Sequence, residues 1–395
     1  MIKFNFDSFI FILALVILST PVFCQKKLKV ELERKIVLEN SDYYLYELNF
    51  KVINNHIFYL IQAENEINLY KKSLEDNSEH IFHCITNPED IGYIYAFDVS
   101  KDEKQVVYTL DRDVCLFDIE LAEFKNSCAH FDESHIVYRS EFGFDNVSLT
   151  DNQINLGTCY NFFIKKNNLD DEIKYCRCIQ LDRSSYKLLA DIHFEHDAIA
   201  FTHLPHNFYD LLGNKVVFTH ALAYNQLVYD GNNKTKYKIG SERYLNEDYQ
   251  SIPFESLITD GVDTKDVIKK ASTFAKEIDR IEGTYFLNDT MLVVIEKKSG
   301  KNMDSKRILH FYAFDDNNKT WILKTKKSFK NDRISRRYST LQFYYSSGIQ
   351  FVGNKLYFSG LDIPLDIKNK RSLERYSNSN FENQKYALYE YTIKL

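Results

Sequence analysis

The chain has 395 residues, 27% of them charged and 44% hydrophobic, with a net charge of −6. That balance excludes a disordered chain and a polytopic membrane protein, and it leaves ample apolar material for a large core. The small net charge names no partner. Glycine (12) and proline (5) are scarce, so Asn and Lys must fill many of the turns.

The N-terminus reads Met1-Ile-Lys3, then an apolar run from Phe9 to Leu18, then a break at Pro21. A basic start, a short apolar stretch and small residues before a cut describe a secretory signal peptide. Cleavage is expected after Cys24, with Val22 and Cys24 at the specificity positions. A membrane span needs about 20 apolar residues, and this run stops short. Residues 1–24 are therefore assigned to the signal and 25–395 to the mature, secreted chain, with no membrane span left after cleavage.

A strand-like phrase then recurs: an apolar residue, Leu two positions on, Tyr or Phe, and alternation. It appears at 43–50, 67–74, 114–121 and 386–393. Buried-strand phrases of a second type stand at 56–61, 105–110, 153–158, 214–219, 289–296 and 354–359. Two of them open identically, as Gly213-Asn-Lys215 and Gly353-Asn-Lys355. A further echo links Tyr229–Thr235 with Phe314–Thr320, each a hairpin turn at one blade position, with Asn supplying the left-handed residue. The clearest unit runs from Tyr95 through the polar Ser100–Lys104 to the apolar strand ending at Asp118. This stretch resembles a blade of WD40 and TolB-like β-propellers, although the family's Pro and Gly are missing from Val99-Ser-Lys-Asp102-Glu-Lys104. The resemblance implies architecture only. Self-similarity at these intervals predicts an all-β fold, a single β-propeller of six blades with seven as the near alternative. The likeness of 43–50 to 386–393 predicts that strands from both termini close the ring in one blade.

Six cysteines remain after cleavage: Cys84, Cys115, Cys128, Cys159, Cys176 and Cys178. An even count in an exported chain reads as disulfides before metal ligands. Cys115 and Cys128 could join neighbouring strands; Cys176 and Cys178 share one strand face, and one of them could reach Cys159. The sequons place glycans at Asn146, Asn233, Asn288 and Asn318. His193, His196, His203, His206 and His220 gather in one region, but i and i+3 on a strand point to opposite faces, so no metal site is assigned.

Between Asp263 and Gly283, Val267, Ala271, Phe274, Ile278 and Ile281 follow helical spacing, predicting an inserted amphipathic helix over about 263–282. The phrase Asp316–Trp321 is similar to the Asp-box of sialidase propellers, with Asn318 where Gly stands. In that family the box is a structural turn, so the likeness implies no activity. From 297 to 337 the chain holds 13 Lys/Arg against four acids, a local charge of +9. Lys324, Lys326, Lys327, Lys330, Arg333, Arg336 and Arg337 form its centre, an expected patch for an anionic ligand.

No nucleophile elbow, His-Glu-x-x-His helix or phosphate-binding loop is present. The expectation is a secreted, non-catalytic propeller without a cofactor that binds an extracellular protein or acidic glycan, and not nucleic acid. The alternative is an extracellular propeller hydrolase with a metal or carboxylate site in its central channel, recognisable by carboxylates converging there.

Overall fold

Strand β1 (Lys29–Asp42) stands far in sequence from the sheet it completes. After it, the alternation of apolar runs and polar turns produces four-stranded antiparallel blades one after another. In the computed structural model the described residues are 29–42, 50–63, 66–84, 94–110, 113–121, 123–124, 129–130, 146–159, 175–195, 209–219, 226–231, 235–239, 279–298, 306–330, 348–362, 364 and 385–394. Blade 1 comprises β2 (Phe50–Ile53), β3 (His56–Ala63), β4 (Glu66–Ser73) and β5 (Glu79–Cys84). Blade 2 holds β6 (Ile94–Val99), β7 (Gln105–Leu110), β8 (Asp113–Asp118) and two short strands on β8, β9 (Glu123–Phe124) and β10 (Ala129–His130). Blade 3 is β11 (Asn146–Leu149), β12 (Gln153–Cys159), β13 (Tyr175–Asp182) and β14 (Leu188–Glu195). Blade 4 is β15 (Tyr209–Leu212), β16 (Lys215–Phe218), β17 (Gln226–Asp230) and β18 (Thr235–Ile239). Blade 5 is β19 (Arg280–Asn288), β20 (Met291–Lys297), β21 (Lys306–Asp315) and β22 (Thr320–Lys330). Blade 6 is β23 (Ile349–Val352), β24 (Lys355–Leu361), β25 (Lys385–Lys394) and β1. The described strands form a six-bladed β-propeller.

All six buried-strand phrases of the sequence are second strands of blades. Each is covered on both faces by neighbouring blades, which is why it reads as a continuous apolar run. One apolar cluster fills each blade junction. Phe58 and Leu69 meet Phe97 and Phe117 between blades 1 and 2, and Val107 and Leu116 meet Ile154 and Ile179 between 2 and 3. Cys178 and Ile192 meet Val216 and Phe218 between 3 and 4, and Val217 and Val228 meet Phe286 and Trp321 between 4 and 5. Val293 and Phe311 meet Phe358 and Tyr389 between 5 and 6, and Leu38 and Tyr357 meet Ile57 and Tyr59 between 6 and 1. Blades 4 and 5 are also joined at their outer strands by a parallel pairing of Ile239 with Trp321.

Both termini do share one blade, but the closing strand differs from the one expected. β1 pairs antiparallel with β25, from Lys29 opposite Lys394 to Leu38 opposite Tyr386. Phe50 of the expected phrase opens β2, and residues 43–49 lie outside the described ones. The helix expected over 263–282 is corrected at its end: Ile281 and Gly283 belong to β19, paired with Glu296 and Ile295. Its remainder lies outside the described residues.

The connections divide sharply by length. First-to-second and third-to-fourth links inside a blade are short, such as 54–55, 213–214, 316–319 and 353–354. Three of the two-residue links use left-handed backbone, supplied by Asn54 and Asn55 (φ 44 and 67) and by Gly213 and Gly353 (φ 57 and 59). The repeated hairpins at 230–235 and 315–320 both join third to fourth strands, the shared blade position expected of them. Every connection longer than ten residues is a second-to-third link or a crossing to the next blade: 131–145, 160–174, 196–208, 240–279, 331–348 and 362–384. Because successive strands reverse direction, all of these start and finish at one rim of the ring, opposite the short turns.

Candidate functional site

The first strand of each blade is hydrogen-bonded on one side only, so its inner edge offers unpaired N–H groups to the centre of the ring. Alternate blades satisfy some of them with a side chain. Leu149 N–H of β11 donates to Asp98 Oδ2 of β6 at 2.8 Å. Phe286 N–H of β19 donates to Asp210 Oδ2 of β15 at 2.7 Å. Gln350 of β23 takes both roles, accepting from Val52 N–H at 2.7 Å and donating to Val52 O at 3.1 Å in β2. Blades 2, 4 and 6 thereby hold blades 3, 5 and 1, an approximate threefold pattern inside the sixfold ring.

Two of these side chains are carboxylates, and Lys51 Nζ of β2 lies 3.3 Å from Asp98 Oδ1. Burial pushes the Asp210 carboxyl up to about 6. The Phe286 amide and the Lys51 charge oppose that rise, and the Asp98 charge adds to it. Lys51, Asp98 and Asp210, from blades 1, 2 and 4, thus feel one another across the centre. Chemically this is a compensated polar ring in which each carboxylate already accepts from a backbone amide of the next blade. Among the described residues no group of three or more His, Cys, Asp or Glu is placed to hold a metal ion.

A second ionic network is buried in blade 5. Arg307 meets Glu282 through Nε–Oε2 at 2.5 Å and Nη2–Oε1 at 3.1 Å, with Lys297 Nζ 3.7 Å from the same carboxylate. Glu296 Oε2 lies 2.6 Å from His310 Nε2, and its other oxygen meets Lys298, which also binds Asp279 at 2.6 Å. Burial raises the Glu296 carboxyl, but His310 and Lys298 outweigh it and hold the group at about 2. The Arg307 guanidinium lies over the Phe358 ring of blade 6, 5.6 Å from its centre. Three cations counted in the basic run, Lys297, Lys298 and Arg307, are therefore neutralised locally. Their partners lie up to 25 residues away, a pairing that composition alone does not reveal.

Of the expected anionic-ligand patch, Lys324 and Lys326 are exposed on β22 and Lys327 is half-buried. Lys330 ends the strand, which runs from the short-turn rim toward the long-connection rim; Arg333, Arg336 and Arg337 lie outside the described residues. The Asp-box-like phrase is a structural turn: Asn317 N–H donates to Asp315 Oδ1 at 3.0 Å, and Trp321 is buried against Phe314 and Phe286.

Among the sequons, Asn288, at the end of β19, and Asn318, in the turn before β22, are exposed at the short rim. Asn233 lies outside the described residues. Asn146 opens β11, and its Nδ2 is buried without a hydrogen-bond partner. Cys84 ends β5, Cys115 is buried on β8, and Cys128 lies outside the described residues. Cys159 and Cys176 stand opposite each other in the β12–β13 ladder. Cys178 is a free, buried thiol, and burial pushes it up to about 12. His193 lies on β14, and His196, His203, His206 and His220 lie outside the described residues. Among the described residues no helix is long and apolar enough to cross a membrane.

No protein-family model matches the chain. No curated protein matches it either. Among solved structures it is similar to a luciferin-regenerating enzyme, at 11% identity and TM-score 0.44, over 92% of this chain and 95% of that one. It is also similar to the WD40 repeats of RRP9, at 10% identity and TM-score 0.43, over 93% and 100%. A third likeness is to the WD40 domain of Toxoplasma gondii coronin, at 7% identity and TM-score 0.43, over 84% and 70%. None of these likenesses bears on activity or ligand.

Proposed function

We propose that the protein is a secreted, glycosylated, non-catalytic propeller that binds an extracellular protein or acidic glycan through the rim carrying its long connections. The segregation of every long connection to one rim carries this reading. Long connections on a rigid scaffold are where binding residues concentrate, and the opposite rim is closed by tight turns. Two of the sequons, at Asn288 and Asn318, belong to that opposite rim, so glycans there leave the long-connection rim clear. Lys324, Lys326 and Lys330 line a strand leading to it, toward Arg333, Arg336 and Arg337, which favours an anionic partner.

Binding of the secreted protein to an immobilised sulfated glycan tests this, at rising salt and against K324E/K326E/K327E. A loss of at least tenfold in the variant, with weakening by salt, supports the anionic partner. Equal binding by both proteins, insensitive to salt, overturns it. The hydrolase reading draws on Asp98 and Asp210 at the centre of the ring. Hydrolysis of ester or glycoside substrates, abolished in D98N, would favour that reading.

A further inference from the structure

The cysteines divide into two kinds by strand register and by hydrogen-bond phase. Cys159 and Cys176 are directly opposed in the β12–β13 ladder. At the mouth of that hairpin Arg183 N–H donates to Asn152 O at 3.0 Å, making 152 and 183 a hydrogen-bonded pair. Pairs alternate along an antiparallel ladder, so Gln153 opposite Asp182 is non-hydrogen-bonded, and so is each second pair after it, including Cys159 opposite Cys176. The other side of β12 agrees, since Thr150 N–H donates to Gln153 O and turns the odd-numbered groups of β12 toward β11. Non-hydrogen-bonded pairs bring Cα atoms to about 4.5 Å, inside the range of about 4.4–6.8 Å that a disulfide requires.

Cys115, on β8, is buried at the junction of blades 1 and 2 with Phe58 and Phe97 and is itself disulfide-bonded.

Cys178 has no such neighbour. Its partner in β12 is Gly157 and its partner in β14 is Ile192. The space over Gly157 is filled by the Tyr209 ring, whose Cε1 would lie 1.8 Å from any Cβ placed there. Cys84 ends β5 opposite Ile67.

We infer that Cys159 and Cys176 form a disulfide while Cys178, on the same strand, remains a thiol. The disulfide forms by thiol–disulfide exchange with a donor protein disulfide. The two cysteine thiols give up two protons and two electrons, one S–S bond forms, and the donor bond is reduced to a dithiol. The bond sits at the long-connection end of blade 3 and closes the neck of the 160–174 connection.

The test is peptide mapping of the secreted full-length protein by mass spectrometry, without reduction and with alkylation after unfolding. The expected result is a cross-linked peptide joining 159 to 176, with an alkyl group at 178. A linkage involving Cys178, or alkylation of Cys159 or Cys176, overturns the assignment. Neither result touches the ligand-binding reading, which the glycan assay addresses separately.

Discussion

Replacing Asp210 by Asn removes a carboxyl whose ionisation the folded ring resists while keeping an oxygen to accept from Phe286 N–H. The group stands at about 6 in the folded chain against 3.8 in its ordinary state. Those roughly 2 units, at about 1.36 kcal/mol each, set a ceiling of about 3 kcal/mol. Part of the residue's surface remains open to the centre of the ring, and screening there lowers the figure. The folded chain holds the proton more tightly than the unfolded chain does. The contribution of Asp210 is therefore fully present below about pH 4 and lost as pH rises through about 6. At neutral pH the ionised group costs stability, so D210N should be more stable than the parent there, by up to about 3 kcal/mol. The advantage should vanish near pH 4. Urea denaturation of both proteins from pH 4 to pH 8 measures it, and the difference between them cancels groups of opposite sign such as Glu296. A difference that stays flat across this range, or a D210N protein less stable at neutral pH, would refute the reasoning.

Arg307→Met leaves Glu282 charged and buried, and should cost about 3–5 kcal/mol in chemical denaturation. The double variant E282L/R307M, which removes both charges, should recover most of that loss. Gly157→Ala drives a methyl into the Tyr209 ring and should cost about 1–3 kcal/mol; Tyr209→Leu in that background should return part of it, read from the melting temperature. Removing residues 25–42 deprives β25 of its partner, and the shortened chain should lose the single cooperative transition of the whole ring in calorimetry. Asn146→Gln should remove no glycan from the secreted protein, because the Asn146 amide is buried, whereas N288Q and N318Q should each remove one, read by mass spectrometry.

The second strands were legible because burial on both faces leaves unbroken apolar runs, as in Val106-Val107-Tyr108. Outer strands carry no such mark. β1 alternates charges with apolar residues along Lys29–Asp42, and the likeness of the neighbouring 43–50 phrase to 386–393 outweighed it. At 278–281 the helical spacing ran on into Ile281, which β19 claims through its pairing with β20. The ring of Asp98, Asp210 and Gln350 had no signature at all. Their partners lie 51, 76 and 298 residues away, and nothing local distinguishes these residues from other polar ones in short strands. The cysteines fell between these cases: their pairing follows from register, and a register slip of one residue would reverse every face.

Ring closure through β1 also has a consequence in time. Val30 pairs with Ile393, so β1 meets its partner only after the five blades between them have been made. Until then blade 6 lacks its outer member, and β25, on arrival, presents an apolar strand with one open edge. The search for that contact spans every other blade, which makes closure the step with the greatest loop entropy to overcome. Five blades can assemble in order behind the emerging chain, but the ring is locked after them, by a strand made before them.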